Sequence, residues 1–266
     1  LLSSSESIKK SLQRAKKFIQ GNELKFEIPQ GQELQDRLSR VHQVLYLIFN
    51  EGYQSTNKNQ LIRYELCEEA LRLTKILTDH KYGSNEESLA VMALMCFHSA
   101  RIETKITDDN KIISLADQDR SKWKQPMIYV GNDYMARAVE SGVYTSYHYE
   151  AAIASEHLRA KNLEATDWHQ ISIWYDELFR LHPTPMIKLN QSIVQLQLNN
   201  YTEAKNILDG IQPKDLANRS YLYYSTLAEY HRLTNQIEAS IDDLLMAISC
   251  TSNEQEKEYL SDKIKS

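Results

Sequence analysis

Six consecutive apolar or aromatic residues, Val44-Leu45-Tyr46-Leu47-Ile48-Phe49, constrain this chain more than any other stretch. In a helix, six successive residues cover the whole circumference, so the run predicts a central helix wrapped by others. It is far shorter than the roughly 20 residues a bilayer crossing needs. A buried strand is the competing reading, because periodicity alone does not separate the two over so short a run. The flank Glu33-Leu34-Gln35-Asp36-Arg37-Leu38 and the stop Asn50-Glu51-Gly52 favour a helix, with Gly52 serving as a left-handed cap.

Breakers are scarce along the rest of the chain. Seven Gly and five Pro in 266 residues, among long stretches of helix formers, predict an all-α protein. The expected architecture is a helical bundle continuing into irregular tetratricopeptide (TPR)-like helix pairs, solenoid-like, preceded by one separate helix. No charged start joins an apolar stretch to a cleavage site, so the expected location is cytoplasmic, with no membrane partner. A start at Leu1 suggests a piece of something longer. Cys67, Cys96 and Cys250 lie far apart in apolar helical contexts, which reads as reduced thiols.

The net charge of −5 hides an asymmetry: residues 1–21 carry Lys9, Lys10, Arg14, Lys16 and Lys17 against Glu6 alone. An acidic body with one basic helix does not coat nucleic acid over its whole surface. Any DNA contact belongs to that helix. Ser3 and Glu6 have capping-box spacing. Ile8, Leu12, Ala15 and Ile19 fall on one face, and Lys10, Arg14 and Lys17 form a stripe on another, with Ser7 and Ser11 beside it. This suits the second helix of a helix-turn-helix, and it also suits an ordinary solvated surface helix.

Pro29 and Gly31 mark residues 22–32 as a linker. Helices are then expected over 60–78, 86–104, 114–141 (kinked near Pro126), 147–161 and 166–181. Asp108-Asp109-Asn110-Lys111 reads as a plain turn, lacking the Gly and distal Glu of a calcium loop. From Pro185 the chain repeats. Leu198-Asn199-Asn200-Tyr201-Thr202-Glu203-Ala204 aligns with Leu233-Thr234-Asn235-Gln236-Ile237-Glu238-Ala239 at an offset of 35, near the TPR period. Ala204 and Ala239 are then the small residues that let paired helices approach, and bulky Leu227 makes the units irregular. The expected division is 1–21, a linker at 22–32, a helical part at 33–162, and TPR-like repeats at 163–266.

Several stretches together resemble the C-terminal part of a bacterial extracytoplasmic-function (ECF) RNA polymerase sigma factor of the group with a long TPR-like extension. They are LLSSSESI through RAKK at the start, VLYLIFNEGY at 44–53, LCEEALRL at 66–73, and L with ALMCFHSAR at 89 and 93–101. LADQDRSKW at 115–123, EAAIASEH at 150–157, TDW at 166–168 and LNQSIV at 189–194 complete the set. The resemblance implies transcription initiation with core RNA polymerase, not catalysis and no cofactor. It implies that residues 4–20 read the −35 promoter element, with Lys10, Arg14 and Lys17 facing DNA and Ser5, Ser7 and Ser11 nearest the bases. It also implies contacts with regions 2 and 4 of the same full-length sigma chain. The alternative is a freestanding TPR-like scaffold that binds a peptide, without sigma activity.

The candidate docking or pocket residues are Asn50, Glu51, His98, Arg101, Gln118, Asp119, Arg120 and Trp123. Their polar side chains either form a recognition surface or satisfy one another internally, since buried polar groups need partners. In the internal reading Asp119 and Arg120 pair with Arg101, Glu51 or His98, and Trp123 packs. His148, Glu150, Glu156 and His157 invite a metal site, but 148 and 157 are about 180° out of phase on a helix, and no HExxH or CxxC spacing exists. No metal is therefore expected. Nor does the chain hold GxSxG or a glycine-rich phosphate loop. Aromatics such as Trp174, Tyr175, Tyr221 and Tyr230 could line a groove or fill a core.

Overall fold

The computed structural model describes residues 5–22, 32–55 and 60–265, with side chains from residue 9 onward. The expected cap at Ser3 and most of the linker, 23–31, lie outside the described residues. So do the side chains of Ser5 and Ser7. Twelve α-helices account for the described fold: α1 (Ser5–Gly21), α2 (Gln32–Tyr53), α3 (Tyr64–Asp79), α4 (Glu86–Ala100), α5 (Gln125–Ala138) and α6 (Ser146–Arg159). α7 (Trp168–Leu181), α8 (Pro185–Gln197), α9 (Tyr201–Asp209), α10 (Ser220–Leu233), α11 (Ile237–Cys250) and α12 (Glu254–Lys265) complete it. The protein is all-α; an isolated antiparallel bridge between Ile106 and Ile112 closes the turn at 108–111. No helix among the described residues is long and apolar enough to cross a membrane.

The centre of the first core is α4, not α2. From Ser88 to Ala100 every residue except His98 is buried, and α2, α3, α5 and α6 pack around it. Its start is fixed by Asn85, whose side chain accepts from the Ser88 amide at 2.8 Å. α2 turns a stripe of Leu38, His42, Leu45, Phe49 and Tyr53 toward this core. Val41, Val44 and Leu47 stay 39%, 56% and 40% exposed. The expected all-round burial of α2 fails because its neighbours cover one side only. Gly52 is likewise no left-handed cap, for it lies inside the helix. A Cβ there would sit 2.7 Å from Cys67 Sγ and 2.8 Å from the Arg63 carbonyl oxygen, so the glycine permits a close crossing of α2 and α3.

The single helix expected over 114–141 is also corrected. Residues 114–124 form a loop with one 3-10 turn, Arg120–Lys122, and α5 starts only at Gln125. Pro126 stands in its first turn, where a missing N–H breaks no helical bond. Gly142 follows α5 in the left-handed region, with φ 71°. At the start of α6, His148 Nε2 donates to the Ala138 carbonyl at 3.0 Å, and its Nδ1 accepts from the Thr145 amide at 3.0 Å. That histidine is a buried structural clamp. Asp167 caps α7, accepting from the Gln170 amide at 2.9 Å.

The repeat is real but its register differs from the aligned one. Asn199 and Asn235 share φ 59° at the turn between paired helices, so α8/α9 and α10/α11 match at an offset of 36. Ala204 then corresponds to buried Ser240, not to half-buried Ala239, and Ser192 to Ala228, not Leu227. Ser240 Oγ donates to the Ala228 carbonyl at 2.8 Å, placing the two small positions in direct contact. The units thus obey one rule, a small residue on each helix at the crossing. Ser240→Val should cost about 2 kcal/mol through overpacking and the lost hydrogen bond, while Ala239→Val should cost far less. Equal losses in urea unfolding would restore the register of 35.

α10 and α12 return to the first core. They face Leu61, Ile62 and the 105–113 hairpin across a small cleft, and Lys111 Nζ reaches Glu258 at 2.6 Å.

Candidate functional site

Where α4 ends, at Arg101, the 115–123 segment folds back over it. The Lys124 amide donates to the Ala100 carbonyl at 2.8 Å, closing the loop onto the helix terminus. Trp123 is buried, its Nε1 donating to Thr104 Oγ1 at 3.0 Å. Gln118 is buried too: its Oε1 lies 3.3 Å from Thr104 Oγ1, and its Nε2 donates to the Ile113 carbonyl. The Arg120 guanidinium stacks 4.7 Å over the Trp123 ring, and its Nη1 donates to the carbonyls of His157 (2.5 Å) and Ala160 (2.8 Å). A cation on the last carbonyls of α6 also meets the negative end of the helix dipole. Asp119 accepts from the Ser121 amide and hydroxyl and so shapes the 3-10 turn.

Gln118, Arg120 and Trp123 therefore form an internal fastening between the ends of α4 and α6. Asp119 and Arg120 pair with neither Glu51 nor His98. Asn50 and Glu51 stand apart on the last turns of α2; Glu51 accepts from Ser55 Oγ at 2.9 Å.

Beside the fastening, which reaches it through His157 of α6, lies a cleft of about 490 Å³ framed by α4, α6, α7 and α8. His98 and Arg101 line it from α4, Glu150 and His157 from α6, and Tyr175 and Asn190 from α7 and α8. Its apolar wall includes Phe97, Ile153, Leu178 and Ile187. Burial holds His98 well below the ordinary imidazole range, helped by Arg101, Lys105 and His157. His157 is pushed down to about 3 by burial, then by Arg101 and Arg120. Lys105 is pushed down to about 7 by burial and Arg101; its Nζ donates to the Tyr53 carbonyl at 2.6 Å and lies 3.4 Å over the Tyr53 ring. Glu150 accepts from the Tyr46 hydroxyl at 2.5 Å, and burial raises its pKa.

These shifts have a pH consequence. Below the ordinary imidazole value of 6.5 the unfolded chain gains protons that folded His98 and His157 refuse, so stability falls as pH drops toward their folded values. Each histidine contributes up to about 1.4 kcal/mol per pH unit in that window. Glu150 acts oppositely, since its stabilisation is present at low pH and lost as pH rises through its folded pKa. His157→Asn should therefore flatten the fall of Tm between neutral pH and about 4.5. A curve parallel to the native one would refute this account.

On α1, Lys10, Ser11, Arg14 and Lys17 are all exposed, and Arg14 Nε reaches the Lys10 carbonyl at 3.4 Å. On its apolar back Leu12 is 58% exposed, Ala15 is exposed and Ile19 half-buried, while Phe18, beside the basic stripe, is 62% exposed. His148 and His157 serve different cores, and among the described residues no group of three or more His, Cys, Asp or Glu could hold a metal ion. Glu150, His157 and Asn190 belong to the 150–157 and 189–194 stretches of the resemblance, but nothing in the sequence marks them as parts of one cleft. Their common feature, convergence on the Arg101 end of α4, is tertiary and leaves no spacing signal.

Residues 37–139, from α2 through α5 and including the fastening loop, match a family of unknown function (DUF6596). An uncharacterized protein, R00370, of Rhizobium meliloti (strain 1021) is 30% identical over 226 residues, covering 85% of this chain and 52% of that protein. The chain thus spans about half the length of this curated relative. No solved structure shows significant similarity to it.

Proposed function

We propose that the chain is the C-terminal regulatory and interaction extension of an ECF sigma factor, together with the end of its −35-reading helix. It acts with core RNA polymerase in transcription initiation and catalyses no reaction. The observation that carries this reading is α1: an exposed stripe of Lys10, Arg14 and Lys17 precedes helices whose motifs resemble that extension. Positive side chains spaced along one helix face suit phosphate contacts, and the uncovered Leu12 and Ala15 on the opposite face suit the partner helix of a helix-turn-helix.

The test is transcription in vitro with core polymerase and the native gene product, either intact or cut after Gly21. Activity only in the cut form makes the extension an inhibitory lock. Activity only in the intact form makes it a positive part of the holoenzyme. A native product without affinity for core polymerase would defeat the proposal and leave the peptide-binding scaffold as the reading.

A further inference from the structure

The cleft at the end of α4 has an electrostatic imbalance that the internal fastening does not relieve. Arg101 acts on Lys105, on Arg120 and on both histidines, Lys105 acts on His98 and Arg120 on His157, yet among the described residues none of the three cations is ion-paired with a carboxylate. Glu164 acts on Arg120 only at longer range. Lys105 and Arg120 are engaged with backbone carbonyls and aromatic rings. Among the described residues the Arg101 guanidinium donates to no backbone carbonyl; it lies beside the Tyr53 side chain, 6.0 Å from the ring centre, and Arg101 alone of the three lines the cleft. Nδ1 of His98 and Nδ1 of His157 are both buried without a hydrogen-bond partner in the protein. Native structures leave few such atoms unpaired, and these two flank one cation.

We propose that this cleft binds a small monocarboxylate with an apolar body. The carboxylate meets Arg101 and the two imidazoles, and the body lies against Ile153, Leu178 and Ile187. Arg101 offers a planar fork matched to a carboxylate. The neutral imidazoles add donors without adding a second charge, which favours a monoanion over a phosphate dianion. The wall is mainly apolar, and the volume lies within the range of small-molecule sites. Glu150, hydrogen-bonded to Tyr46, lies on α6 two turns before His157, so the cleft has a cationic end and an acidic one. That polarity orients the carboxylate toward Arg101. The inference is independent of the promoter-reading proposal.

Calorimetric titration of the 266-residue chain with hydrocinnamate, against its uncharged amide, tests it. The acid should bind at least about tenfold more tightly than the amide, the difference expected of one charge-assisted contact. Imidazole nitrogen NMR signals of His98 and His157 should shift with the acid, and those of exposed His80 should not. Arg101→Gln should weaken the acid by about tenfold or more and leave the amide unchanged. Ile153→Trp, which fills the cleft, should abolish binding of both. Because the acid–amide comparison is made on the native chain, it stands even if a variant unfolds. No heat and no imidazole shift with the acid, equal affinity for acid and amide, or tighter binding of inorganic phosphate would each overturn the proposal.

Discussion

Trp123→Ala should lose about 3–5 kcal/mol of unfolding free energy, read by urea denaturation, the range for removing a large aromatic from a packed site. Trp123 is 3% exposed, and its removal does more than leave a cavity. Thr104 Oγ1 loses its indole donor, and Arg120 loses the ring on which its guanidinium lies 4.7 Å away. Arg120 is the residue that holds the last turn of α6, so the loss extends to the cleft wall. Trp123→Phe keeps most of the volume and some of the stacking but not the hydrogen bond, and should fall between. If Trp123→Ala unfolded within about 1 kcal/mol of the native protein, the loop would be a surface feature and not a fastening.

Gly52→Val is expected to cost about 3 kcal/mol, at the upper end for overpacking, because the obstacle is backbone. The Arg63 carbonyl oxygen and the Cys67 amide nitrogen would both lie 2.8 Å from the new Cβ, and neither can swing aside as a side-chain tip can. Either α2 and α3 move apart or the chain around Arg63 shifts, and both disturb the packing of Phe49 and Ile62. Gly52→Ala should show most of the same loss. Thermal unfolding unchanged in Gly52→Ala would mean that the crossing is loose.

The class of the fold was legible because few breakers and helical spacing report on local structure directly. The role of α2 is not legible for a physical reason: six apolar residues state what could be buried, not how many neighbours arrive to bury them. α4, with small Ala90 and Ala93 among its apolar residues, can be approached from all sides and so became the centre. Pro126 marks a break, but the sequence does not say whether a helix runs through it or begins at it. The repeat register slipped by one residue since Glu203-Ala204 matches Glu238-Ala239 in letters. The fold instead follows the left-handed Asn199 and Asn235 and the contact of Ser240 with Ala228. Of the candidate site, Arg101 and His98 were visible on one helix. Arg120 and Trp123 were visible as a motif, although their role as a strut was not. Glu150, His157 and Asn190 join them only through packing.

The return of α10 and α12 to the hairpin at 105–113 bears on how the molecule is made. A chain emerging N-terminus first can complete α2 to α6 early, but Leu61, Ile62 and Ile106 keep one side open to water until α12 appears. The Lys111–Glu258 pair and the cleft beside it join segments nearly 150 positions apart, among the slowest contacts for a polypeptide to find. α12 is thus a latch that shuts late on the earlier helices, and a product arrested or clipped before it would present a greasy seam for chaperones to hold.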